Sequence, residues 1–86
     1  MNDKPRLIDG LKASLIDAID LALHSLATGD VQAARDKARS LIDLCADMLP
    51  ADIAQSLTDA HTAGKASLVV HHLGQARHNI KELPAA

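Results

Sequence analysis

The sequence contains no Phe, Tyr or Trp and only one cysteine among its 86 residues. Without aromatic rings it offers no platform on which nucleic-acid bases can stack, and a single thiol cannot form a disulfide within the chain. The nine lysines and arginines are spread along the chain without a run, whereas binding to a nucleic-acid backbone requires clustered positive charge. These absences predict that nucleic acid is not a partner.

Long apolar runs are also missing. The first apolar stretch is interrupted by Asp9, Lys12 and Asp17, so it does not have the pattern of a secretory signal. No other stretch is long and apolar enough to span a bilayer. Cys45 lies on an apolar stripe, where a thiol usually acts as a small hydrophobic group. We therefore expect no membrane partner and a cytoplasmic protein, in a cytoplasm of the bacterial type.

The residues that are abundant are Ala, Leu and Ile, which favour helix, and only three valines are present. No segment alternates between apolar and polar residues with the period of a strand. The length predicts one domain covering residues 1–86. A chain of this size buries only about 60–65% of its unfolded surface, and alanines bury little area each. We therefore expect two copies to share a core.

The segment from Asp30 to Leu49 has the clearest helical pattern. Its apolar residues recur in alternating steps of three and four, which places them on one stripe of a helix. These residues are Val31, Ala34, Ala38, Leu41, Cys45 and Met48. The rest of the chain is expected to cover this stripe.

A first helix is predicted to begin near Asp3-Lys4-Pro5, because proline suits the first helical position. Its broad apolar face is wide enough to contact two other helices. That face comprises Leu7, Ile8, Leu11, Leu15, Ala18, Ile19, Ala22 and Leu26, widened by Ile16 and Leu23. Gly29 can end the helix in a left-handed conformation and Asp30 can cap the next one. The short connection predicts an antiparallel hairpin.

A third helix is predicted from about Pro50 to Ala63, with a stripe of Ile53, Leu57, Ala60 and Gly64. The next stripe, from Val69 to Leu83, lies roughly 160° away when both are drawn on one helical wheel. Two interpretations follow. Gly64 ends the third helix and a fourth begins near Ala66 or Ser67, or one continuous helix buries opposite faces in its two halves.

The predicted fold is an all-α, small antiparallel bundle of four helices, in which helices one and two form a long hairpin and helices three and four are shorter. The alternative is a three-helix bundle with a continuous last helix.

Histidines are the residues that suggest chemistry, but no two are three or four apart, the spacing that a helical metal site requires. We therefore predict no metal and no cofactor. The segment Ala60-His61-Thr62-Ala63-Gly64-Lys65 resembles the phosphoacceptor region of histidine phosphotransfer domains, although their Lys-Gly order is reversed here. Those domains are four-helix bundles with an exposed phosphoacceptor histidine. The resemblance implies that His61 accepts a phosphoryl group and that Lys65 supplies a cation. His71 and His78 are the other candidate residues of a histidine-based site.

No nucleophile elbow, phosphate-binding glycine loop or CxxC motif is present, so we predict a protein that is not an enzyme. The predicted function is a protein–protein interaction module, an oligomerising adaptor or accessory subunit that forms a homodimer. The predicted interface consists of Leu11, Leu15, Ile19, Leu26, Leu57, Leu73 and Ile80. A histidine-based bundle for phosphotransfer or for metal or cofactor binding is the alternative.

Overall fold

The computed structural model describes residues 9–45 and 49–83, and these residues contain four helices and no strand. The helices are α1 (Asp9–Ala27), α2 (Val31–Cys45), α3 (Ala51–Thr62) and α4 (Ala66–Lys81). Each packs against its neighbours along the chain, α1 also packs against α4, and α2 meets α4 across the bundle. The prediction of an all-α four-helix bundle is confirmed.

The turn between α1 and α2 has the predicted geometry. Gly29 has a φ of 93°, in the left-handed region. Its amide donates to the carbonyl of Leu26, and the amide of Asp30 donates to that of Ser25, which together form a Schellman motif. The Asp30 carboxylate accepts a hydrogen bond from the Ala33 amide at 3.0 Å and so caps α2. This tight reversal makes α1 and α2 antiparallel neighbours.

The break between α3 and α4 decides between the two interpretations of residues 50–83. α3 ends at Thr62, and Ala63 has φ −64° and ψ 138°, which is extended backbone. Lys65 is also extended, with φ −127° and ψ 144°, and α4 begins at the next residue. The continuous last helix is therefore wrong. The chain reverses here because the apolar stripes before and after Gly64 lie on opposite sides, and only two separate helices can turn both towards one core.

One core fills the space between the helices. Its buried residues are Leu15, Ile19, Ala22, Ala34, Ala38, Leu41, Leu49, Ile53, Leu57, Ala60, Val69, Leu73, Ala76, Ile80 and Leu83. Five of these are alanines, so the helices approach closely through small side chains and the apolar area buried per residue is low.

One detail of the predicted bundle is wrong. Gly64 is exposed rather than part of the α3 stripe, because the helix has already ended at Thr62. α3 and α4, with 12 and 16 residues, are both shorter than α1, which has 19 described residues.

Some predictions concern residues outside the part of the chain that the structure describes. These are the first-helix start at Asp3-Lys4-Pro5, the apolar positions Leu7, Ile8 and Met48, the side chain of Cys45, and the chain end at Pro84.

Candidate interaction surface and histidine site

The structure places most of the predicted interface residues inside the chain's own core. Leu15, Ile19, Leu57, Leu73 and Ile80 are each at most 2% exposed. Leu11 and Leu26 are half-buried and pack against the same core. Since these side chains contact one another in a single chain, this fold does not offer them to a partner. The sequence analysis correctly identified these positions as apolar faces of their helices, but the helices of one chain are enough to cover them.

Four other large aliphatic side chains are exposed among the described residues. Leu21 of α1 is 60% exposed and Leu44 of α2 is 79% exposed, while Leu68 and Val70, in the first turns of α4, are 45% and 47% exposed. The sequence analysis did not select any of them. Leu21 and Leu44 could have been found as apolar residues that fall outside the stripe of their own helix.

His61 is held by a specific contact between α2 and α3. It lies in the last turn of α3 and is half-buried. Its Nδ1 lies 3.1 Å from the backbone carbonyl oxygen of Arg35 in α2. A carbonyl oxygen only accepts hydrogen bonds, so Nδ1 is the donor and carries the ring proton. In the neutral ring, Nε2 is then the nitrogen with a free lone pair.

The side chain of Arg35 contains a buried nitrogen without a partner among the described residues. The residue is half-buried, and its Nε is inaccessible to solvent and forms no hydrogen bond to a described residue. A buried N–H without a partner is costly. Sequence reasoning missed Arg35, although it lies four residues after Val31, at the edge of the α2 stripe. A charge at the edge of an apolar stripe is the signal that could have found it.

Lys65 does not lie on a helix with His61. The four-residue spacing would place the two side chains on one helix face, but α3 ends at Thr62 and both Ala63 and Lys65 have extended backbone. Lys65 is the exposed residue before the first turn of α4. His61 and Lys65 therefore do not share a helix face.

The remaining histidines are on other surfaces. The rings of His71 and His72 meet edge to face, with their centroids 5.2 Å apart and their planes at 70°. His71 and His78 are exposed on α4, and His24 is exposed on α1. Among the described residues, the hydrogen bond of the His61 ring goes to Arg35 and not to another histidine. Within residues 9–45 and 49–83, no three His, Cys, Asp or Glu side chains are grouped as a metal site would require.

α1 and α4 are joined by two polar contacts. The Asp20 carboxylate accepts a hydrogen bond from Arg77 Nε at 2.8 Å, and both side chains are partly exposed. The Lys12 ammonium group donates to the carbonyl of Leu83 at 2.8 Å and to that of Lys81 at 3.3 Å. These contacts place the start of α1 beside the end of α4, so the two helices run antiparallel and form one face of the bundle.

None of the described helices has the length and apolar character needed to cross a membrane. No family model matches the sequence, and comparisons with curated proteins and with solved structures found no match either.

Proposed function

We propose that this protein is a non-enzymatic interaction module of the cytoplasm that forms a homodimer and acts as an oligomerising adaptor or accessory subunit. The observation that carries the proposal is the exposure of Leu21, Leu44, Leu68 and Val70, at 45–79%, on a bundle whose core is rich in alanine. Burial of such a side chain is worth roughly 1.5–3 kcal/mol. Association would supply apolar burial that the small core lacks.

Sedimentation equilibrium between about 1 and 100 µM tests the proposal, because association of a module with ordinary affinity falls in this range. The single chain has a mass of 9.1 kDa, and we expect the weight-average mass to approach twice that value as concentration rises. A constant single-chain mass over the whole range would overturn self-association.

A histidine phosphoacceptor is the second candidate, and the contact between His61 and Arg35 favours it. The hydrogen bond from Nδ1 to the Arg35 carbonyl leaves the Nε2 lone pair available as a nucleophile. With acetyl phosphate as donor, a bond would form between Nε2 and phosphorus while the bond from phosphorus to the acetate oxygen breaks, and acetate would leave. The cation of this proposal is the guanidinium of Arg35, the residue whose backbone carbonyl holds the His61 ring.

Incubation with acetyl phosphate, followed by analysis for acid-labile phosphate, tests this second candidate. We expect label on the wild-type protein and on the control variant His78→Gln, whose histidine is exposed on α4, but none on His61→Gln. Unlabelled wild-type protein, or equal label on His61→Gln, would exclude His61 as the acceptor.

A further inference from the structure

The outer face formed by α1 and α4 divides its charge between the two helices. α1 contains three aspartates and one lysine, a net charge of −2, whereas α4 contains Arg77 and Lys81 without any acidic residue, a net charge of +2 with its histidines neutral. On the outer side, Ala13, Asp17 and Asp20 of α1 are all exposed at helical spacing. Because Asp20 and Arg77 form an ion pair between the two helices, the exposed charges of the described part of this face without such a pair are Asp17 on α1 and Lys81 on α4.

The α4 half of this face has open space at its centre. Val70 is 47% exposed, and Gly74 lies one turn later. A Cβ built on Gly74 would meet no atom within 4 Å, so packing within the chain does not explain a glycine there. Glycine inside a helix costs about 1 kcal/mol relative to alanine. The same absence of a side chain allows another backbone to approach closely.

We propose that a second copy of the chain docks on this α1–α4 face, with α1 of each copy on α4 of the other. The inference rests on the proposed self-association and places it on a face that includes one of the four exposed apolar side chains, Val70. A two-fold axis parallel to the helices creates this arrangement and brings each acidic helix against a basic one. A two-fold axis perpendicular to the helices would instead pair α1 with α1 and α4 with α4, which places like charges together.

The register of α1 and α4 agrees with this arrangement. The docking face is as long as its two helices, which have 19 and 16 residues and therefore span about 24–28 Å. A parallel two-fold axis keeps each residue at its own height along the bundle. Because Lys12 contacts Leu83 and Asp20 contacts Arg77, Asp17 of one copy lies at the height of the last turn of α4 in the other. The exposed Lys81 is in that turn.

Charge reversal with sedimentation equilibrium tests the docking face. Asp17→Lys and Lys81→Glu are each expected to raise the dimer dissociation constant at least tenfold, because each places like charges across both halves of the symmetric contact. A one-to-one mixture of the two variants is expected to form a heterodimer with nearly wild-type affinity, since both contacts are then attractive. A pair of charges within one chain could not produce this recovery. Asp36→Lys, which makes the same charge change on α2, is the control and should leave the dissociation constant within twofold.

Gly74→Gln tests the docking face without destabilising the helix, because glutamine favours helix more than glycine does. A weaker dimer in this variant therefore cannot be attributed to unfolding. We expect weaker dimerisation by at least tenfold with no loss of thermal stability. A wild-type dimer that tolerates Gly74→Gln and both charge reversals would overturn the α1–α4 face while leaving self-association intact. A wild-type protein that remains a single chain at all concentrations would overturn the proposed function and this inference with it.

Discussion

The side chain of Lys12 in α1 binds the chain just beyond α4, with its ammonium nitrogen 2.8 Å from the carbonyl oxygen of Leu83. A second carbonyl, that of Lys81, lies 3.3 Å from the same nitrogen and belongs to the last residue of α4. The last carbonyls of a helix have no partner within the helix and carry the negative end of its dipole, so a cation near Lys81 is favourable. The contact joins residues that are 71 positions apart.

Replacement of Lys12 by methionine should therefore destabilise the bundle. We expect a loss of about 1 kcal/mol in the free energy of unfolding, at the low end for a charged hydrogen bond because the site is only partly buried. Urea denaturation followed by circular dichroism measures it. Lys37→Met on α2 is the matched control, because Lys37 is exposed and forms no hydrogen bond or ion pair with a described residue. Equal losses in both variants would contradict the role of the α4 contact.

The turn between α1 and α2 should not tolerate a side chain at its glycine. Gly29→Ala is expected to cost about 1 kcal/mol, because a φ of 93° is unfavourable for a residue with a Cβ. There is no steric obstacle, since a Cβ there would meet nothing within 4 Å. The cost must therefore come from the backbone conformation. Gly29→Asn, which tolerates the left-handed region better, should lose less stability than Gly29→Ala in thermal unfolding.

Two leucines of α1 should differ sharply when truncated. Leu15 is 2% exposed and Leu21 is 60% exposed, six residues later on the same helix. We expect Leu15→Ala to lose about 2–4 kcal/mol, through lost burial and the cavity that remains, and Leu21→Ala to change stability by less than about 0.5 kcal/mol. Denaturation well below the dimer dissociation constant isolates the single chain. A large loss for Leu21→Ala under those conditions would show that it belongs to the core.

The neutral ring of His61 should carry its proton on Nδ1. The 3.1 Å contact with the Arg35 carbonyl requires this tautomer, because a carbonyl oxygen can only accept a hydrogen bond. Long-range proton–nitrogen NMR spectra at alkaline pH distinguish the two nitrogens. We expect the Nδ1-protonated form at His61, with the exposed His24 as the reference ring. Protonation on Nε2 would remove the basis for a nucleophilic nitrogen at this site.

Much of the fold followed from local pattern. The buried positions of α2, α3 and α4 were placed on their stripes by helical spacing alone, and Gly29 and Asp30 were identified as the turn from their backbone and capping preferences. Such features depend on residues within one turn of each other. The α3–α4 break required more, because Ala63 and Lys65 are extended without any proline or left-handed glycine.

The candidate sites followed the sequence much less closely. The resemblance to a phosphoacceptor region selected His61 and paired it with Lys65, whereas its hydrogen-bond partner is the Arg35 carbonyl, 26 residues away in another helix. Most of the residues predicted to form an interface are buried in the chain's own core. A partner can only use the apolar groups that remain exposed after the chain's own helices have packed.

The sequence by itself determined a helical chain, its apolar stripes and the hairpin between the first two helices, because helical periodicity and capping act over a few residues. The division of residues 50–83 into two helices came from the structure. Tertiary structure alone decided which leucines remain exposed, which carbonyl orients His61, and that acidic α1 lies beside basic α4. These are relations between residues distant in sequence, and they exist only once a shared core has fixed how the helices are arranged.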